Sequence, residues 1–160
     1  MTKKEFMKKA VELKICRTQF LLYLIIYSII FFVITISLVT IENTIDNWKV
    51  VGFVMFFLFI LLGPLMIYYL YRIIYLIKNF DDYQFLIIEF KSMHAGFFNR
   101  AYFTVCFEES GRKISLDTRS IFLSNIFNFI YPNFEDYLNQ KVKIAYDKEK
   151  NEIVVIEPIK

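Results

Sequence analysis

One histidine, two cysteines and the adjacent carboxylates Asp81-Asp82 and Glu108-Glu109 are the side chains here whose types best suit chemistry. His94, within Met93-His94-Ala95-Gly96, is the single imidazole available as a general base. Nucleophilic catalysis would need it beside a Ser or Cys and an orienting carboxylate, and nothing in the linear order brings such groups together. Gly96, two residues on, reads instead as a plain strand-end turn. Asp81-Asp82 and Glu108-Glu109 would clamp a cation only if both members of a pair faced one way. Neighbours on a strand face opposite ways, so both pairs read as solvated charges. Cys16 falls at an expected membrane edge and Cys106 in an expected strand, and no Cys/His group has metal-ligand spacing. Phosphate-binding glycine loops, zinc signatures and nucleophile elbows are missing. The sequence thus assigns no catalytic residue, metal ligand or cofactor.

The elements that would have to position any site fall into two kinds. Of the chain, 57% is hydrophobic, and that content is concentrated in two blocks almost free of charge. FLLYLIIYSIIFFVITISLVTI (20–41) and VVGFVMFFLFILLGPLMIYYLY (50–71) each supply the roughly 20 apolar residues that cross a hydrocarbon core of about 30 Å. The rest of the chain is too small to cover two such helices on every face, so they read as transmembrane. The first run exceeds the 7–15 residues of a signal-peptide core and lacks a small-x-small cleavage site, so it is expected to stay.

Basic residues set the expected orientation. Lys3, Lys4, Lys8, Lys9, Lys14 and Arg17 precede the first run; Arg72 and Lys78 follow the second. The loop 42–49 holds only Lys49 against Glu42 and Asp46. By the positive-inside rule both termini are cytosolic, in a multi-pass protein of the cell membrane. Tyr68, Tyr69, Tyr71, Arg72, Tyr75 and Lys78 serve as anchors at the inner interface, and Trp48 at the outer one. Neither run has an ionisable residue near its middle, which argues against a transporter or channel formed by this chain alone. Gly63-Pro64 predicts a kink. Residues 1–18 form a basic juxtamembrane segment, either an amphipathic helix on the inner leaflet with Phe6, Ala10 and Leu13 on one side, or a solvated charge run.

Beyond the hairpin (19–78) the periodicity turns to two. Leu86, Ile88 and Phe90 share one face, as do Phe103, Val105 and Phe107, then Ile114, Leu116 and Thr118, and later Val142, Ile144 and Tyr146. Ser110-Gly111 marks one turn and residues 147–152 another, before a last strand that is apolar on both faces. Asn133 caps an expected short helix over 134–139. The expected fold class is a membrane α-helical hairpin plus an all-β small barrel of five strands with a helical insert, SH3- or OB-like, over 81–160. An open antiparallel sheet is the alternative.

The tail KVKIAYDKEKNEIVVIE (141–157) resembles the closing strands of small barrels attached to membrane hairpins in uncharacterised bacterial proteins. There a V-x-V-x-Y-D/N strand precedes a short turn and a final apolar strand. Proteins of the nodulation-efficiency-protein-D type are a looser comparison, since their glycine-rich early strands have no counterpart here. Where such tails carry glycine before the strand, this chain has Asn139-Gln140. The resemblance implies a fold and no reaction.

The net charge of +3 comes from the N-terminus, and the β-domain is acidic, with most aromatics on inward faces. Nucleic acid is therefore excluded as a partner, because single-strand binders need a basic groove interleaved with aromatics. The surface most suggestive of an interaction is IFLSNIFNFIY (121–131), with Ile121, Phe122, Ile126, Phe127, Phe129, Ile130 and Tyr131. It is too apolar for an ordinary loop and too short to span a bilayer. Capping the barrel, dipping into the leaflet and docking on a partner are the three roles open to it. The expected function is a non-enzymatic, membrane-anchored interaction module, with the lipid bilayer and itself or another membrane protein as partners. An immunity-type protein that shields the membrane from a toxin is one form of it. The alternative is a membrane-bound enzyme or small-ligand sensor, which would require polar groups converging near His94, Asp117 or Tyr146.

Overall fold

A computed structural model describes residues 1–40, 45–96, 100–109, 111–118, 121–122 and 137–159. The chain divides into two compact units, one comprising Met1–Ile15 with Leu76–Lys160, the other Cys16–Tyr75.

The second unit is made of two long helices. Helix α2 runs over Val11–Thr40 and α3 over Ile45–Lys78, so each continues past the unit's limits. Both are long and apolar enough to cross a membrane. Ser28, Thr35 and Ser37 each donate their hydroxyl to the carbonyl four residues back, at 2.8 Å, which satisfies them inside the helix. Helix α3 continues through Pro64. Tyr23 stacks on Tyr69 across the pair, centroids 6.0 Å apart and planes 19° from parallel.

In the first unit, strands β1 (Gln84–Gly96), β2 (Arg100–Glu109), β3 (Arg112–Asp117), β4 (Ile121–Phe122), β5 (Lys141–Asp147) and β6 (Glu152–Pro158) form one antiparallel sheet. Its order is β3-β2-β1-β5-β6, with β4 lying beside β2. The first half of β1 pairs with β5 and the second with β2. At the changeover, Phe90 faces Val105 and Ser92 faces Thr104, so Lys91 is an extra residue, a bulge. The end of the insert docks there: Asn139 donates its N–H to the Phe90 carbonyl at 3.1 Å. Asn139 has φ 58° and Asn151 has φ 48°, left-handed conformations that asparagine tolerates better than most residues. Gly111, at φ 77°, turns β2 into β3.

Among the described residues the sheet is open, the alternative to the expected SH3- or OB-like barrel, and closure is not shown. Among the described residues β3 and β6, at its two ends, do not pair. Strand β6 is instead flanked by helix α1 (Lys3–Lys9), where Lys9 Nζ lies 2.8 Å from Glu157 Oε1. Protecting an edge with a helix removes the need for closure. The expected helix over 134–139 lies largely outside the described residues, which resume at Tyr137.

One hydrophobic cluster lies on one face of the sheet, and Ala145 and Val154 are buried on the opposite face. Ile88, Phe90, Phe103, Val105, Val142, Ile144, Tyr146, Ile153 and Val155 pack in that cluster with Tyr137, joined by Val11 and Ile15 from the start of α2. Phe90 and Phe103 stand 4.7 Å apart at its centre. The N-terminal segment therefore belongs to this unit. Phe6 is fully buried, its ring within 5.4–6.3 Å of Phe80, Tyr83 and Phe85. A capping box at Thr2 and Glu5 starts α1.

Candidate functional site

The bulge at Lys91 decides which side chains meet on the face away from the core. Before it, Leu86, Ile88 and Phe90 point inward; after it the phase shifts, and Ser92 and His94 come level with Thr104 and Tyr102. Strand β3 adds Asp117 opposite Thr104, Ser115 opposite Cys106 and Lys113 opposite Glu108. A polar face of three strands results, on a rigid backbone rather than on loops.

Along it runs a line of short contacts. His94 Nε2 lies 3.2 Å from Ser92 Oγ and 3.1 Å from Thr104 Oγ1, and Thr104 Oγ1 donates to Asp117 Oδ1 at 2.6 Å. The imidazole stacks on Tyr102, centroids 5.2 Å apart. Proton counting fixes the directions. Threonine has one hydroxyl proton, and Asp117 takes it, so Thr104 accepts from Nε2–H. A protonated Nε2 has no lone pair with which to deprotonate Ser92. The carboxylate bonds Thr104 rather than the ring, unlike a triad, where it holds Nδ1–H. The line joins a hydroxyl, an imidazole and a carboxylate without the polarity of an activated nucleophile. A shallow depression of about 380 Å³ beside it is lined by Lys91, Cys106, Phe107, Glu108 and Lys113.

Sequence reading had named His94 and Asp117 but missed Ser92 and Thr104, which connect them. The signal is the i, i+2 spacing of Ser92 and His94, obscured because the alternation of Leu86, Ile88 and Phe90 slips by one residue at Lys91. Tyr146 is elsewhere: it is buried in the core, edge-on to Phe107 at 5.1 Å. Asp82 sits 3.7 Å from Lys150, whose ammonium is also 3.1 Å from Asp147. Asp147 Oδ1 accepts the N–H groups of Glu149 and Lys150 and so builds the β5–β6 turn. Among the described residues no group of three or more His, Cys, Asp or Glu side chains could hold a metal.

The expected membrane anchors divide. Trp48, Tyr68, Tyr71 and Lys78 are exposed, whereas Tyr69 is 4% and Arg72 2% exposed. The Arg72 guanidinium lies 4.9 Å from the Tyr75 ring centroid, a cation–π contact. Away from these ends, the helix pair presents Leu21, Ile25, Phe32, Phe53, Phe56, Ile60 and Ile67 outward. A groove of about 440 Å³ between Tyr27, Ser28, Phe31, Phe32 and Met55 is almost wholly apolar. Of the expected interaction patch, Ile121 and Phe122 form β4; Ile126, Phe127, Phe129, Ile130 and Tyr131 lie outside the described residues. Compared with known proteins, the chain matches no family model, no curated protein and no solved structure.

Proposed function

We propose that this chain is a non-enzymatic, membrane-anchored interaction module. Its two long helices lie in the cell membrane with both termini in the cytosol, and its sheet unit presents a docking surface there. The observation that carries this reading is the helix pair. The most apolar window of α2 is 0% buried and that of α3 11% buried. Surfaces of that kind are stable only against lipid or another membrane protein. The proton order at His94 supports a role without nucleophilic catalysis.

The test uses the full-length protein at native expression. Membranes are washed at alkaline pH, then solubilised gently into nanodiscs, and co-purifying proteins are identified by mass spectrometry. Retention through the wash with a stoichiometric membrane partner, or with itself, is the expected result. Release by the wash would overturn the anchored reading.

A second reading has one observation in its favour. The line Ser92–His94–Thr104–Asp117 is the convergence that a ligand sensor would need, with Tyr102 as a stacking floor. It lies on an open sheet face rather than in an enclosed pocket, and binding sites are usually concave. Ligand screening against wild type and His94→Ala separates the two readings.

A further inference from the structure

The outer edge of β3 has the hydrogen-bonding pattern and charge order of a strand that pairs with a copy of itself. Thr118 N–H donates to the Phe103 carbonyl at 2.8 Å, which points the backbone of residue 118 toward β2. In an antiparallel ladder this direction alternates, so Leu116 and Ile114 also bond inward across from Val105 and Phe107. The N–H and C=O groups of Lys113, Ser115 and Asp117 therefore point away from the sheet. Among the described residues no strand lies on that side. Natural edges are commonly blocked by bulges, prolines, inward charges or edge lysines. Of these β3 carries only the last, at Lys113, which lies with Asp117 on the solvated face.

We propose that two copies of this chain join antiparallel through β3, about a two-fold axis at Ser115. In this register Ser115 faces Ser115 of the second copy as a hydrogen-bonded pair. Lys113 faces Asp117 and Asp117 faces Lys113, so each charge meets its opposite on the polar face. Ile114 meets Leu116 on the other face, and both are half-buried in the single chain. A shift by two residues would break both charge pairs, and a shift by one would set polar against apolar faces. Six main-chain hydrogen bonds close the seam, two at each of the three pairs of outward-pointing residues. Strand β4, which begins the apolar run 121–131, continues the same side of β2. The proposal rests on the interaction-module reading and names its partner as a second copy.

The test is disulfide trapping in native membranes, with full-length protein carrying Cys16→Ala and Cys106→Ser. A hydrogen-bonded antiparallel pair has Cα atoms about 5.5 Å apart, within disulfide range. Ser115→Cys should yield covalent dimers under mild oxidation. Lys113→Cys alone and Asp117→Cys alone should not, since like positions are then about 13 Å apart along the strands. Co-expressed, those two variants should cross-link to each other. Adding Lys113→Glu to Ser115→Cys sets like charges opposite and should lower the dimer fraction on the order of fivefold. Absence of the Ser115→Cys dimer from protein that survives the alkaline wash overturns the pairing and leaves the anchored reading intact. Equal trapping at all three positions overturns the register. Protein lost in the wash overturns the anchored reading itself.

Discussion

Thr104 gives its hydroxyl proton to Asp117 across β2 and β3, over 2.6 Å, and that bond determines which nitrogen of His94 carries hydrogen. The only threonine proton is spent on the carboxylate, so the ring must donate from Nε2. Thr104→Val removes both acceptor and relay. Ser92, 3.2 Å from Nε2, can then donate into it, and the neutral ring should move toward the Nδ1–H form. Nitrogen NMR of labelled histidine reads the two forms directly. An unchanged tautomer ratio in Thr104→Val would show that Thr104 does not set it.

Helix α1 is seven residues long, too short to persist in water by itself. Its attachment depends on Phe6, which is 0% exposed among Phe80, Tyr83 and Phe85. Replacing a buried phenylalanine by alanine costs about 3–5 kcal/mol, more than a helix of about two turns can recover. Phe6→Ala should therefore free α1 while the sheet stays folded. Hydrogen exchange of the amides of Lys3–Lys9 is expected to lose protection, with β5 unchanged. Retained protection in α1 would mean that the capping box and the Lys9 ion pair hold it without the ring.

The same helix should respond to pH at both extremes. The hydrogen bond to Glu157 raises the Lys9 pKa above its ordinary 10.5, so the charged form is favoured in the folded chain. That contribution is complete below 10.5 and is lost as pH rises through the higher folded value. Hydrogen bonds from the Thr2 backbone and side chain lower the Glu5 pKa below 4.5. Its contribution is present above 4.5 and is lost as pH falls through the lower folded value. Protection of α1 should thus be level near neutrality and decline at either end. Lys9→Met should abolish only the alkaline decline, and Glu5→Gln should weaken the acid one. A single variant that flattened both limbs would point to global unfolding instead.

How much of this was legible in the sequence follows from what periodicity can encode. The two apolar helices were readable from length alone, because a bilayer sets a minimum span. The inward faces of β2 and β5 were readable because Phe103 and Val105, like Val142 and Ile144, keep strict alternation. At Lys91 the alternation slips by one residue, so the period-two pattern breaks off there although β1 continues to Gly96. Alternation also says which face is inward but not which strand is a neighbour, and an open sheet and a barrel share one pattern. The fate of Met1–Ile15 was hidden for a related reason. An amphipathic helix shows that Phe6 needs an apolar partner and does not say whether that is lipid or, as here, Phe80, Tyr83 and Phe85.

Asn139 marks a departure from the glycine expected before the β5 strand, and the backbone explains the exchange. Its φ of 58° lies in the left-handed region, where glycine is free and asparagine is the best-tolerated alternative. The position is constrained from both sides, since its N–H donates to the Phe90 carbonyl at 3.1 Å beside the bulge. Asn139→Gly should therefore fold normally, with a stability change of about 0.5 kcal/mol or less. Asn139→Val, which has a branched Cβ, should cost about 1–2 kcal/mol and loosen the junction of β1 with β5. Chemical denaturation of the full chain in nanodiscs, followed by hydrogen exchange at Leu138 and Asn139, measures both. Equal stabilities for the glycine and valine variants would mean that this turn does not require the left-handed conformation.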